Sequence, residues 1–341
     1  MTMRKYLSLL AGAALLLGAA SCNKLGQREN VADLPVGAYR TVTVGAVADE
    51  AATRASSTTV ITGEAAVNNI QVWAFDGSTL AAFAKANAAS VEMSLRTDRT
   101  YTLYAVANCS DDLSSLSTAA AIQAKTISLA DESRSGFRMY GTGSLAAAVT
   151  AATVNVSRVV ARVRLVSATN TNTSLGTMTV KSVFLSNVVG NQNLAGSATA
   201  STWYNKMGRK TSTQTDYVSG ANADAAAMTA KDSPSLPYAL YCYPNSSTVT
   251  PNGWSTSYSG QHTMLVIAAT FSTKGSTVYY YPIDINKVTG TVEANHTYDV
   301  TATISNLGST DEPNKELESG KVTVTVTAAD WEAGAEVNKT I

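Results

Sequence analysis

From residue 55 onward, apolar and polar residues alternate with period two over most of the chain. Such alternation sets one face of a strand on a core and the other in water. It predicts strands at 67–76 (VNNIQVWAFD), 99–108 (RTYTLYAVAN), 153–168 (TVNVSRVVARVRLVSA) and 177–188 (TMTVKSVFLSNV). Further strands are expected at 263–271, 277–284, 296–305 and 321–329, the last reading KVTVTVTAA. Ala-rich stretches at 78–89 and 111–125 are expected to hold short helices, with Ser78 and Asp111 or Asp112 as N-caps. GTGSLA at 141–146 reads as a turn. Residues 190–237 are rich in Asn, Ser, Thr, Gly and Ala and read as mostly loop, with a short helix at 221–231. The pattern predicts an all-β protein of two β-sandwich domains with few short helices. Their seam is expected near 150–155, just ahead of the long strand that carries Arg158 and Arg162.

The N-terminus shows a different pattern. Arg4 and Lys5 precede 14 uncharged, mostly apolar residues at 7–20. That is short of the roughly 20 residues needed to span a hydrocarbon core of about 30 Å. It matches the apolar region of an export signal. Gly18, Ala19, Ala20 and Ser21 then lead into Cys22. This order resembles a bacterial lipobox, in which Cys22 is acylated and becomes the new N-terminus. Acyl chains anchor by burying CH₂ groups at about 0.8 kcal/mol each. The precursor is therefore expected on a membrane as a lipoprotein, with residues 1–22 as its signal.

Composition narrows the function. The 25 basic and 25 acidic residues cancel, and no basic patch stands out, so nucleic acid is not an expected partner. Two histidines, His262 and His296, leave little material for metal sites or acid/base catalysis. Each is expected at a strand edge. No CxxC, HExxH, phosphate loop or GxSxG occurs. Asp111-Asp112 and Asp311-Glu312 are acidic pairs without a spaced series of calcium ligands. Cys109 and Cys242 lack a basic or His neighbour and are expected to be free buried thiols, although an exported chain would also permit a disulfide. No catalytic residue, metal or cofactor is expected, and an enzyme is the weaker class.

Between Cys22 and the first core strand, residues 41–48 alternate, with Val42, Val44, Ala46 and Ala48 on one face. The sequence DEAATRASS at 49–57 is polar, small-residued and expected to be exposed. Arg54-Ala55 within it suits an arginine-specific protease, which needs an accessible, extensible segment. An ordinary surface arginine would look the same on residue type alone.

Family likeness weighs on that choice. The lipobox cysteine, a leader of about thirty residues, a strand and then Arg-Ala together resemble the type V pilin subunits, or fimbrillins, of Bacteroidia-type bacteria. NIQVWAFDG at 69–77, SRVVARVRL at 157–165, HTYDVTATISNLGSTDEP at 296–313 and VTVTAADWEAG at 324–334 resemble that family in the same order. The resemblance implies two transthyretin-like β-sandwich domains, at 55–153 and 154–341, after a propeptide at 23–54. It implies export as a lipoprotein, cleavage after Arg54 to leave Ala55 as the mature N-terminus, and polymerisation by strand exchange. The implied partners are other pilin subunits, an arginine-specific protease, the outer membrane before cleavage, and a receptor on a host or bacterial surface.

The residues supply a physical rationale. TVTVGA at 41–46 and VTVTVTA at 322–328 share small side chains in alternation. A groove that accepts one can accept the other, because period two sets which face is buried. A vacated groove exposes unpaired backbone, which a neighbour's C-terminal strand would satisfy. Val322, Val324 and Val326 are the expected donor residues, followed by Trp331, Val337 and Ile341 as spaced apolar anchors. Head-to-tail contacts of this kind do not close, so they build a filament. T-V-T-V repeats are also what a strand completing its own sandwich would show. A second class is a surface lipoprotein that binds glycan or host protein without polymerising, through aromatics such as Trp203, Trp254 and Tyr279-Tyr280-Tyr281. A stalk subunit fits the intact arginine site; a fimbrial tip subunit is the alternative within the family.

Overall fold

The computed structural model describes residues 37–48, 61, 63–196, 200–206, 223–250, 260–310, 322–330 and 339–340. In chain order the first strands are β1 (Tyr39–Ala48), β2 (Ile70–Asp76), β3 (Thr79–Ala86), β4 (Ser90–Arg96) and β5 (Tyr101–Ala107). Next come β6 (Thr126–Ser128), β7 (Met139–Leu145), β8 (Ala151–Arg158), β9 (Ala161–Asn170) and β10 (Met178–Ser186). Short strands follow, β11 (Val188–Val189), β12 (Asn191–Asn193), β13 (Trp203–Tyr204) and β14 (Ala230–Asp232). The rest are β15 (Tyr238–Cys242), β16 (Met264–Phe271), β17 (Tyr279–Asp284), β18 (His296–Ile304), β19 (Val322–Asp330) and β20 (Lys339–Thr340). The protein is all-β, with a few one-turn helices.

The N-terminal strands run in the order β3-β2-β5-β7-β8-β1-β4. The sheet folds over on itself at β8. The start of β8 pairs with β1, whereas its end meets β7 through Met139↔Arg158 and Tyr140↔Ser157. The enclosed core contains Val42, Val44, Val72, Leu103, Val154 and Val156. The C-terminal half stacks the order β15-β9-β18-β19-β20 on β14-β10-β16-β17. Val163, Val300, Val326, Leu185 and Ile267 belong to that core. Its hydrophobic cluster extends to Trp73 and Phe75 on the back of β2. Those two side chains alternate with Ile70, Val72 and Ala74, which face the N-terminal core. Strand β2 is thus buried on both faces, and alternation in its sequence is correspondingly blurred.

Several elements differ from the expected ones. The stretch 78–89 is not a helix. It is the hairpin strand β3, paired with β2 from Ile70↔Ala86 to Asp76↔Thr79. Alanine's helix propensity is a weak preference, and here sheet pairing outweighs it. Phe83 contributes by packing on Trp73 with ring centroids 5.1 Å apart. In 111–125 a helix does form, but only at Ala119–Gln123, with Thr118 rather than an aspartate accepting from the amide of Ala121. The 141–146 stretch lies largely in β7 instead of a turn. Gly141 serves there because a Cβ would collide with the carbonyl of Asn155 on β8. The expected long strand at 153–168 is two strands, β8 in the N-terminal sheet and β9 in a C-terminal one. The crossing comes at Val159-Val160, a few residues beyond the expected seam. The loop expected at 190–237 also carries β12, β13 and β14, while the short helix expected at 221–231 is present at Ala226–Thr229.

Candidate functional site

β1 is an interior strand of its sheet. It runs antiparallel to β4 from Tyr39↔Arg96 to Gly45↔Ser90, and parallel to β8 from Thr43↔Ala151 to Ala48↔Val156. Its alternation is realised as expected. Val42 and Val44 are 0% exposed, and Ala46 and Ala48 are also buried. Tyr39 and Val47 point outward. Full burial of Val42 and Val44 alone is worth on the order of 3–6 kcal/mol. β4 takes its ladder from β1 at the end of the sheet. Loss of β1 would therefore open an apolar slot flanked by the backbone edges of β4 and β8.

The first inward residue of β1 is Arg40, and it too is buried. Its guanidinium donates to three main-chain carbonyls: Arg96 at 2.7 Å, Val149 at 2.8 Å and Ala146 at 3.3 Å. These close the end of the slot where β1 enters.

β19 follows the same period-two rule in another place. It pairs with β18 from His296↔Asp330 to Ile304↔Val322, and with β20 through Thr325↔Thr340 and Val326↔Lys339. Val324 and Val326 fill the core of their own C-terminal sandwich. The structure thus gathers Val42, Val44, Ala46 and Ala48 on one face, and places Val322, Val324 and Val326 in a different sheet. Cys22, Arg54, Ala55, Trp331, Val337 and Ile341 lie outside the described residues.

Sixteen residues after β1, a polar cluster ties the two halves together. Glu64 is buried and accepts from Arg162 Nη1 at 2.7 Å and from the Tyr241 hydroxyl at 2.6 Å. Its main-chain carbonyl accepts from Arg158 Nε at 2.9 Å. Nearby, Glu132 accepts from the Tyr243 hydroxyl at 2.8 Å and from the amide of Arg138 at 3.0 Å. Burial pushes the Glu132 carboxyl above the usual carboxylate range, and raises the phenols of Tyr241 and Tyr243. Arg134 lies over the rings of Tyr238 and Tyr241, at 5.1 and 4.7 Å from the centroids. Sequence reasoning did not find this cluster. The available signal was Arg158, Arg162 and Arg164 within a largely apolar run, since buried cations need partners. Arg164 has its own, Asp299 on β18.

The remaining candidates sort into structural roles. His262 Nδ1 contacts Asp284 at 2.7 Å just ahead of β16, and His296 opens β18 with Nδ1 beside the Ala294 carbonyl at 2.9 Å. Among the described residues no three His, Cys, Asp or Glu side chains converge as metal ligands. Asp111 pairs with Lys125, and Asp112 with Lys85, which brings the Asp112 carboxyl down to about 2. Cys109 and Cys242 are free and buried, and burial pushes the Cys242 thiol up to about 12. A thiol so placed is unreactive. Tyr279 and Tyr281 are buried while Tyr280 is half-buried, as alternation along β17 requires. Trp203 in β13 packs against Gly260 and is half-buried. Trp254 and Asp311-Glu312 lie outside the described residues.

The class of protein follows from this architecture: an all-β chain of two sandwiches whose first strand, β1, is an interior strand of the N-terminal sheet. No family model and no curated protein matches the chain. Solved structures do. A candidate cell adhesion protein from Bacteroides eggerthii superposes with TM-score 0.63 at 23% identity, covering 86% of this chain and 97% of that one. The fimbrilin FimA of Porphyromonas gingivalis gives 0.58 at 13% identity, over 84% and 96%. A C-terminally truncated form of the tip fimbrial protein Mfa3 of Porphyromonas gingivalis gives 0.52 at 12% identity, over 86% and 100%. The resemblance to Bacteroidia fimbrillins is therefore present in the fold over most of the chain.

Proposed function

We propose that this chain is a structural subunit of a cell-surface fimbria, supporting adhesion. In this reading it is exported as a lipoprotein through Cys22, cut after Arg54, and polymerised as a stalk subunit by strand exchange. The observation that carries the reading is the position of β1. It is an interior strand with a fully buried face, yet it lies upstream of Arg54 in the polar stretch 49–57. A cut there would leave β1 held by non-covalent contacts alone. The fimbrilin-like fold supports the same reading.

In this reading the donor begins after Asp330. Val324 and Val326 already have a core to fill, so lending β19 would empty the subunit that lends it. Trp331, Val337 and Ile341 have the spacing to serve instead. The test uses purified precursor, an arginine-specific protease, electron microscopy and a denaturing gel without boiling. Filaments or a ladder are expected, and are expected to disappear in Arg54→Ala and on deletion of 331–341. A cleaved chain that stays monomeric would overturn the reading.

A further inference from the structure

The slot beneath β1 is apolar except at one end. There, the carbonyls of Arg96, Ala146 and Val149 converge on the Arg40 guanidinium. Arg40 is 5% exposed, and among the described residues no carboxylate pairs with it. Its partners come from two places, the end of β4 and the turn between β7 and β8. Ala146 and Val149 are exposed turn residues, and the Ala146 carbonyl also accepts from the Val149 amide at 3.4 Å, but all three carbonyls converge on one point with which an occupant of the slot can pair. A compact, multi-donor cation does this best.

We propose that these three carbonyls form a cation socket that selects the strand replacing the leader, and that Lys339 of a neighbouring copy fills it. This deepens the strand-exchange reading and rests on it. The segment 331–341 reads WEAGAEVNKTI, and Lys339 is its sole basic residue. Period two puts Lys339 on the same face as Trp331, Ala333, Ala335 and Val337, opposite Glu332, Gly334, Glu336 and Asn338. With Lys339 in the socket, Val337, Ala335 and Ala333 fall where Val42, Val44 and Ala46 lie in β1. The incoming strand then runs opposite to β1. An ammonium offers three donors, which matches three carbonyls. In the uncut chain residues 339–340 pair with β19, from which they must detach.

Two arms test this and separate it from its premise. First, hydrogen exchange is measured on β1 and β4 amides in uncut precursor. Arg40→Met is expected to speed exchange about tenfold or more, the effect of losing hydrogen bonds to a charged donor. Arg40→Lys is expected to remain near wild type. Unchanged exchange in Arg40→Met overturns the socket. Second, protease-cut Lys339→Met and Lys339→Arg are compared with wild type for ladder formation. Loss in Lys339→Met with recovery in Lys339→Arg supports the assignment. Wild-type assembly by Lys339→Met overturns it while leaving strand exchange standing. Failure of cut wild type to assemble overturns strand exchange and the Lys339 assignment together, with the first arm still deciding the socket.

Discussion

β1 and β19 are nearly the same strand in sequence, valines and threonines in alternation with alanine toward the end. Their positions in the fold are different. β1 lies between two neighbours, parallel to one and antiparallel to the other, with 49–60 separating it from the rest of its sandwich. β19 is continuous with its own sandwich, pairing along its full length with β18 and at two positions with β20. Removing β1 would open the sheet between β8 and β4, whereas removing β19 would strip β18 and empty part of the C-terminal core. The comparison shows that equal strand-forming tendency says nothing about which strand is expendable. Under the proposed strand exchange, expendability would come from covalent attachment and from what stays pinned once the strand left. Glu64 supplies the pin, since Arg162, Tyr241 and Arg158 hold it in the polar cluster between the halves.

The largest expected effect comes from breaking that pin. Arg162→Met removes the 2.7 Å ion pair to buried Glu64, and should cost about 3–5 kcal/mol in urea unfolding. Adding Glu64→Gln should recover part of the loss. If Arg162→Met is neutral, the cluster does not hold the seam.

Next come matched core deletions, which address the two strands directly. Val44→Ala and Val326→Ala should each cost about 2 kcal/mol in the uncut chain. After cleavage and release of the leader, the Val44→Ala cost should vanish while the Val326→Ala cost persists. Equal persistence of both would mean that β1 had not left.

A smaller effect concerns pH. Burial raises the Glu132 carboxyl above its unfolded value, so the folded chain binds that proton more readily. Its burial penalty is absent below the ordinary carboxylate range and grows as pH rises toward the folded value. Stability should therefore increase on acidification through that window, by at most about 1.4 kcal/mol per pH unit for one group. Chemical denaturation of wild type and Glu132→Gln should show the slope in the first and its loss in the second. The smallest effect is expected on the outward face of β1. Val47→Thr should change stability by less than about 0.5 kcal/mol, cut or uncut.

Much of this was readable before the structure. The period-two runs became β2, β5, β10, β16, β17, β18 and β19, and the inward face of β1 is the one that Val42, Val44, Ala46 and Ala48 announce. What escaped did so for identifiable reasons. β3 was hidden by alanine, whose local preference for helix is overruled by pairing with β2. The break between β8 and β9 was hidden because Val159 and Val160 continue an apolar run through a change of sheet. Arg40 was hidden because a lone arginine before a strand looks like surface, and its three acceptors come from residues more than fifty positions away.

The sequence by itself determined the class of structure and the burial face of each clear strand. Those are properties of neighbours along the chain, set by side-chain alternation and by polarity. The tertiary structure alone decided which strand pairs with which. It made β1 an interior strand with a polar socket at its entry, kept β19 at home, and assembled the Glu64 cluster from three distant segments. Period two specifies a face but carries no information about a partner. Partners are chosen by the packing of the whole sheet and by buried charges that must be satisfied.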